Sequence, residues 1–250
     1  MNQLVSLLDQ QNILAFLLLF ARVISFMAFI PILKHKSVTI KMRAAISFYL
    51  AIFLFPLIDY SNSILTSDTF VLALLSELTL GLLASALVQI IFSAVQIAGD
   101  LIGYATGLSM ANMFDPTTGT QQGVISRFLY LIVFVIYLES DMYELTIYML
   151  YNSFGMISLG HFNIYDYDGI AYVTKEINNM FAFALTFAFP LFFISFIIDV
   201  YYGYGTKSMP SFSPFIITFQ IKFTLIFIFM MLGLNIFIDN FILYFTQKLS

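Results

Sequence analysis

The chain has 250 residues, 61% of them hydrophobic and 10% charged, with a mean hydropathy of +0.95, whereas soluble domains run at about 45–50% apolar and about 25% charged. That composition excludes an ordinary soluble domain and describes a membrane protein. Ten Lys and Arg against fourteen Asp and Glu give a net charge of −4, which offers no basic surface for nucleic acid, and the absence of Cys excludes disulfides and thiolate metal sites.

The amino-terminal residues 1–9 carry Asp9 rather than the basic start of a cleavable signal, so the first apolar run, 13–33, is expected to be a retained span. Further candidate spans are 44–58, 70–98, 124–138, 180–198 and 215–238. Of these only 180–198 is long and free of charge. Arg22 lies within the first, Glu77 within the third and Lys222 within the last. An intramembrane charge costs a few kcal/mol unless it is paired or faces protein or water, so these three are expected to be buried, paired charges in a helical bundle; an ion relay is the sharper alternative.

Lys34, His35, Lys36, Lys41 and Arg43 fill one connection, which the positive-inside rule makes cytoplasmic. The acidic connections at 59–68 and at Glu139, Asp141 and Glu144 fit the outer side. The stretch 145–159 is too short and polar to place, and Asp166 and Asp168 fall in an unassigned polar connection. Without repeats, low-complexity stretches or soluble linkers, residues 1–250 read as a single all-α integral membrane domain of irregular, partly broken hydrophobic helices.

The most informative stretch is 98–123. Gly99, Gly103, Gly107 and Ala111 recur every four residues, which puts a small-residue groove along one helix face; packing within the chain and packing against a partner subunit are both open. The groove leads into a loop bounded by Gly107 and Gly123, where Asp115 and Pro116 stop any helix. Irregular backbone at membrane depth survives only when buried in protein or lining an aqueous cavity. In that setting Met110, Met113 and Phe114 would form a soft apolar seal, the alternative being an ordinary exposed loop.

Two near-matches are set aside. Residues 115–120 lack the Lys of the phosphorylated-aspartate motif of P-type ATPases, and the soluble ATP-binding domains are missing. Residues 200–205, Val-Tyr-Tyr-Gly-Tyr-Gly, have Tyr201 where a potassium filter has Thr, and no pore helix precedes them. His35 and His161 are isolated, and no metalloprotease or phosphate-loop motif occurs. No catalytic residue, metal or cofactor is expected.

Several residues together carry a family resemblance: Arg22 and Pro31, Arg43 and Pro56, Glu77-Leu78 with Gly81, Gly99-Asp100 with Gly103 and Gly107-Leu108-Ser109, Asp115-Pro116, Arg127, and then Pro190, Gly203, Lys207, Pro210 and Lys222. In order and spacing the chain resembles the FliR family of flagellar biosynthetic proteins and their counterparts in virulence type III secretion. It departs from the family pattern at Ser85, Asp100, Lys207 and Ser213, where Gly, Glu, Arg and Asn are usual, and Lys lacks the bidentate geometry of Arg.

The resemblance implies a non-enzymatic subunit of the export gate, assembled with FliP and FliQ, meeting FlhB and FlhA, and passing unfolded flagellar substrates across the bacterial inner membrane. It implies helices wound into a larger conical assembly partly above the bilayer, Arg22, Glu77 and Lys222 at subunit interfaces, and a luminal plug at Gly107, Met110, Met113, Phe114, Asp115, Pro116 and Gly123. The runner-up is a small-molecule transporter or ion channel; an intramembrane enzyme is a weaker third reading.

Overall fold

Gln10–Phe29 form the first helix, α1, which stops just before Pro31, the residue that cannot continue it. α2, Ile40–Leu54, starts at Thr39, whose side chain accepts the Met42 N–H at 3.4 Å. It tightens into a 3-10 turn at Phe55–Leu57, where Pro56 occupies the first positions. The coordinates are a computed structural model that describes residues 10–31, 33, 38–58, 70–108, 123–162, 169–208 and 214–249.

α3, Phe70–Thr106, runs for 37 residues and ends at Gly107, which adopts a φ of +78°, the left-handed cap that a residue without Cβ accepts at no steric cost. α4, Val124–Glu139, and α5, Met142–Met156, are joined by a two-residue turn in which Asp141 takes a φ of +53°. α6, Gly169–Ser208, is 40 residues long despite Pro190 in its interior, and α7, Pro214–Leu249, is 36 residues long. At 1.5 Å per residue α3, α6 and α7 are each about 54–60 Å long, against about 30 Å of hydrocarbon.

Among the described residues there is no strand, and five stretches are long and apolar enough to cross a membrane: Gln10–Phe29, Ile40–Leu57, Phe70–Thr106, Ala171–Gly205 and Thr218–Leu249. The expected all-α membrane fold is what the chain adopts. Its boundaries differ from the sequence expectation in a consistent direction. Runs cut at the first polar residue, 70–98, 180–198 and 215–238, continue as helix through Asp100, Asp199 and Asp239, because backbone hydrogen bonding is completed within a helix whatever the side chain. The stretch left unplaced at 145–159 is largely α5. The filter-like residues 200–205 are the regular interior of α6, so their carbonyls belong to a helix and not to an ion site.

The chain divides into two compact units. The first contains α1, α2, α3 up to Ile90, most of α5 and the start of α6. Its core packs Leu18, Leu19, Val23 and Phe26 of α1 with Ala51 and Leu54 of α2, Ala73 of α3, and Leu150 and Phe154 of α5. Phe16 meets Phe48 and Phe55 edge-on at 6.0 and 5.6 Å. The second contains α3 from Ile91, α4, and the bulk of α6 and α7. Here aromatic rings form the centre: Phe92 of α3 lies 5.3 Å from Tyr137 of α4 and 6.1 Å from Phe241 of α7, and Tyr137 lies 5.5 Å from Phe245.

Candidate functional site

In the first unit, Arg22 and Glu77 are both fully buried and form a two-pronged ion pair, Nε to Oε2 at 2.5 Å and Nη2 to Oε1 at 3.0 Å. The remaining guanidinium donors reach the end of α5: Nη1 donates to the Ser153 carbonyl at 3.0 Å and Nη2 to the Ile157 carbonyl at 3.1 Å. Glu77 Oε1 also accepts the Gly160 backbone N–H at 2.8 Å, and the guanidinium carbon sits 4.3 Å from the centre of the Phe154 ring. One charged pair thus caps the carboxyl end of α5, supplying partners for carbonyls that the helix itself leaves open, and joins it to α1 and α3.

One turn after Glu77, Gly81 explains the spacing of that motif. A Cβ at this position would lie 2.0 Å from Ser25 Oγ and 2.5 Å from the Arg22 carbonyl oxygen, so only glycine lets α3 come close enough for the short carboxylate to grip Arg22. The expected burial of Arg22 and Glu77 is therefore observed. Both side chains are buried by residues of this chain.

Lys222 differs from the expectation of a buried charge. Its side chain is 13% exposed, and its ammonium lies 2.7 Å from Oδ2 of Asp199, itself 52% exposed. The aliphatic stem of Lys carries the charge outward along α7, and Asp199, just beyond the apolar run 180–198, supplies the counter-charge from α6. Glu176 is a further buried acid, 5% exposed, that the apolar pattern did not flag. Asp199 was within reach of sequence reasoning as an acid ending an apolar run opposite the only basic residue of the next one. The Ser153, Ile157 and Gly160 contacts were not, since they are backbone groups.

In the second unit, the small-residue face of α3 and the start of α4 flank residues 109–122, which lie outside the described residues. A Cβ at Gly99 would fall 2.3 Å from Ser126 Cα, so the groove takes the backbone of α4. Ser126 donates its hydroxyl to the Gln96 carbonyl at 3.0 Å. Asp100 Oδ1 accepts the Gly123 N–H at 3.4 Å, which serves the amino end of α4, where Gly123 has no side chain to act as a cap. On the other limb Thr106 Oγ1 bonds the Gly103 carbonyl at 2.9 Å, and the Gly107 N–H bonds the Tyr104 carbonyl at 3.1 Å. Nearby, Ser195 of α6 donates to the Ala105 carbonyl at 2.6 Å.

The four-residue repeat therefore splits. Gly99 is used inside the chain, whereas a Cβ at Gly103 meets no described atom within 4 Å and neighbouring Tyr104 is 68% exposed. Ala111, Met110, Met113, Phe114, Asp115 and Pro116 lie outside the described residues. No group of three or more potential metal ligands occurs among the described residues.

Comparison with known proteins assigns the chain to a family. The chain is 29% identical over 224 residues to the flagellar biosynthetic protein FliR of Bacillus subtilis, covering 89% of this chain and 86% of that one. It is 25% identical over 205 residues to the FliR of Pectobacterium carotovorum, 82% and 78% of the two chains, and 25% identical over 232 residues to that of Aquifex aeolicus, 90% and 87%. The family pattern described as bacterial export proteins, family 1, matches residues 13–247, so this chain, with its five membrane-compatible helices, belongs to that family.

Proposed function

We propose that this chain is a non-enzymatic core subunit of the flagellar type III protein export gate of the bacterial inner membrane, where it builds with FliP and FliQ the channel for unfolded flagellar proteins and meets FlhB and FlhA. The observation that carries the reading is the family match over residues 13–247, together with relatives all named for flagellar biosynthesis. Geometry supports it through what the chain leaves uncovered. Tyr201 and Tyr204 on α6 and Leu232 on α7 are each more than two-thirds exposed, as expected of a subunit that finishes its packing against other helices and lipid.

Within that gate the loop from Gly107 to Gly123 acts as the luminal plug, with Met110, Met113 and Phe114 as its apolar seal and Asp115-Pro116 holding it out of helix. Support comes from its base: Asp100, Ser126 and Gly99 hold the two ends of the loop on adjoining backbones, and Gly107 stands in the left-handed conformation suited to a hinge. Opening is a hinge motion rather than a chemical step.

Affinity purification of the tagged protein from native membranes in mild detergent, with mass spectrometry of what accompanies it, tests the reading. Recovery with FliP-like and FliQ-like proteins is expected. Recovery as a lone chain that moves ions selectively in liposomes would overturn it in favour of a transporter or channel.

A further inference from the structure

The carboxyl end of α3 is finished by bonds of two origins. Its own last turn serves two carbonyls, Gly103 through Thr106 Oγ1 at 2.9 Å and Tyr104 through the Gly107 N–H at 3.1 Å. The Ala105 carbonyl is one that a helix end leaves open, and its donor comes from another helix: the buried Ser195 hydroxyl of α6 reaches it at 2.6 Å. α7 stands on the same turn, since a Cβ on Gly107 would lie 3.6 Å from the Phe219 ring, at ordinary van der Waals distance. The last turn of α3 thus touches α6 through Ser195, and Gly107, at its φ of +78°, lies beside Phe219 of α7.

The same sides of α6 and α7 carry a direct tie. Asp199 lies one turn beyond Ser195 and Lys222 three residues beyond Phe219, spacings that keep each pair on one side of its helix. Their ion pair, 2.7 Å between Nζ and Oδ2, therefore joins α6 to α7 about 4.5–6 Å of helix rise from the two groups that touch α3. We propose that Asp199 and Lys222 are positioning residues for the Gly107 hinge: while they are paired, α6 and α7 hold Ser195 and Phe219 against the end of α3, and when they part the hinge is freed. Asp199 is 52% exposed and Lys222 13%, and an ion pair open to solvent on one side holds by a factor of a few in an equilibrium constant. A contact that must part and re-form needs that weakness, whereas the fully buried Arg22–Glu77 pair is built to stay closed. The consequence for transport rests on the reading of Gly107–Gly123 as the plug; the positioning of Gly107 does not.

Hydrogen exchange read by mass spectrometry on the full-length protein, extracted from native membranes with whatever accompanies it and held in lipid nanodiscs, tests the proposal. The reporting amides are those of Gly107 and Leu108, the second of which donates to Thr106 Oγ1 at 3.4 Å. Asp199→Asn is expected to speed their exchange about three- to fivefold while segments 91–100 and 124–139 keep their rates, and the charge-reversed pair Asp199→Lys with Lys222→Asp is expected to restore most of the protection. Ser195→Ala, which touches neither charge, is expected to give the same local rise, so the proposal stays open to refutation even where a charge variant fails to fold. No rise at Gly107 and Leu108 in either single variant, or an equal rise throughout the second unit, would overturn it, as would a folded charge-reversed pair that restores nothing. Dye entry into cells carrying the assembled gate separates the two readings. Faster exchange without a leak would keep the positioning role and count against the plug, and a leak without faster exchange would keep the plug and overturn the positioning role.

Discussion

Arg22 ties three helices of the first unit together, because its guanidinium serves a carboxylate on α3 and two carbonyls at the end of α5. Taking both charges out of water is expensive, so the pair is weak support for net stability, but breaking it leaves an uncompensated charge at a cost of about 3–5 kcal/mol. Arg22→Met is therefore expected to lower the thermal unfolding midpoint of the detergent-solubilised protein steeply, followed by fluorescence-detected size exclusion. Arg22→Lys should recover little, since an ammonium cannot span Glu77 and the Ser153 and Ile157 carbonyls together. The double variant Arg22→Met with Glu77→Leu should regain much of the loss. An unchanged midpoint in Arg22→Met would show that the pair does not hold α5. That Arg22 and Glu77 would be paired was legible in the sequence from cost alone; that they would find each other, 55 positions apart, required Gly81 to bring the helices together.

At the scale of the helix, glycines of one repeat have different duties, and periodicity could not separate them. Gly99 faces the α4 backbone, so Gly99→Leu should overpack the interior of the chain and destabilise it by about 1–3 kcal/mol or more. Gly103 has open space beyond it, so Gly103→Leu should leave the unfolding midpoint of the isolated chain near that of the unmodified protein and abolish co-purification with partner subunits. A loss of chain stability as large as that of Gly99→Leu would place the Gly103 contact inside the molecule. Element existence was legible because an apolar run long enough to span is unmistakable; element ends were not, since Asp100, Asp199 and Asp239 sit in helices that outrun the hydrophobic stretch. α5 escaped notice because its buried face, Met142, Thr146, Leu150 and Phe154, is narrow and interrupted by a polar residue, and because its carboxyl end is capped by Arg22 from a distant helix.

The molecule as a whole joins a well-satisfied interior to faces that its own residues leave bare. Arg22 and Glu77 are closed off and the aromatic centre of the second unit is packed, while Tyr201, Tyr204 and Leu232 of α6 and α7 stay exposed. Residues 108–122 are bracketed by described contacts, Asp100 to Gly123 and Ser126 to the Gln96 carbonyl, and in the proposed function they form a seal. If they are the plug of an assembled channel, removing residues 110–114 should leave complex formation intact and make cells expressing the full gate leaky to small molecules, read as ion or dye entry across the inner membrane. The same deletion in cells lacking the other gate subunits should have no effect, since a lone chain encloses no lumen. Asp100→Ala isolates the clamp from the seal: freeing Gly123 without removing an apolar contact should give a smaller, intermittent leak, and the deletion should mask it. Normal permeability in the deletion strain, with the gate shown to be assembled, would remove the plug from the mechanism while leaving the subunit in the gate.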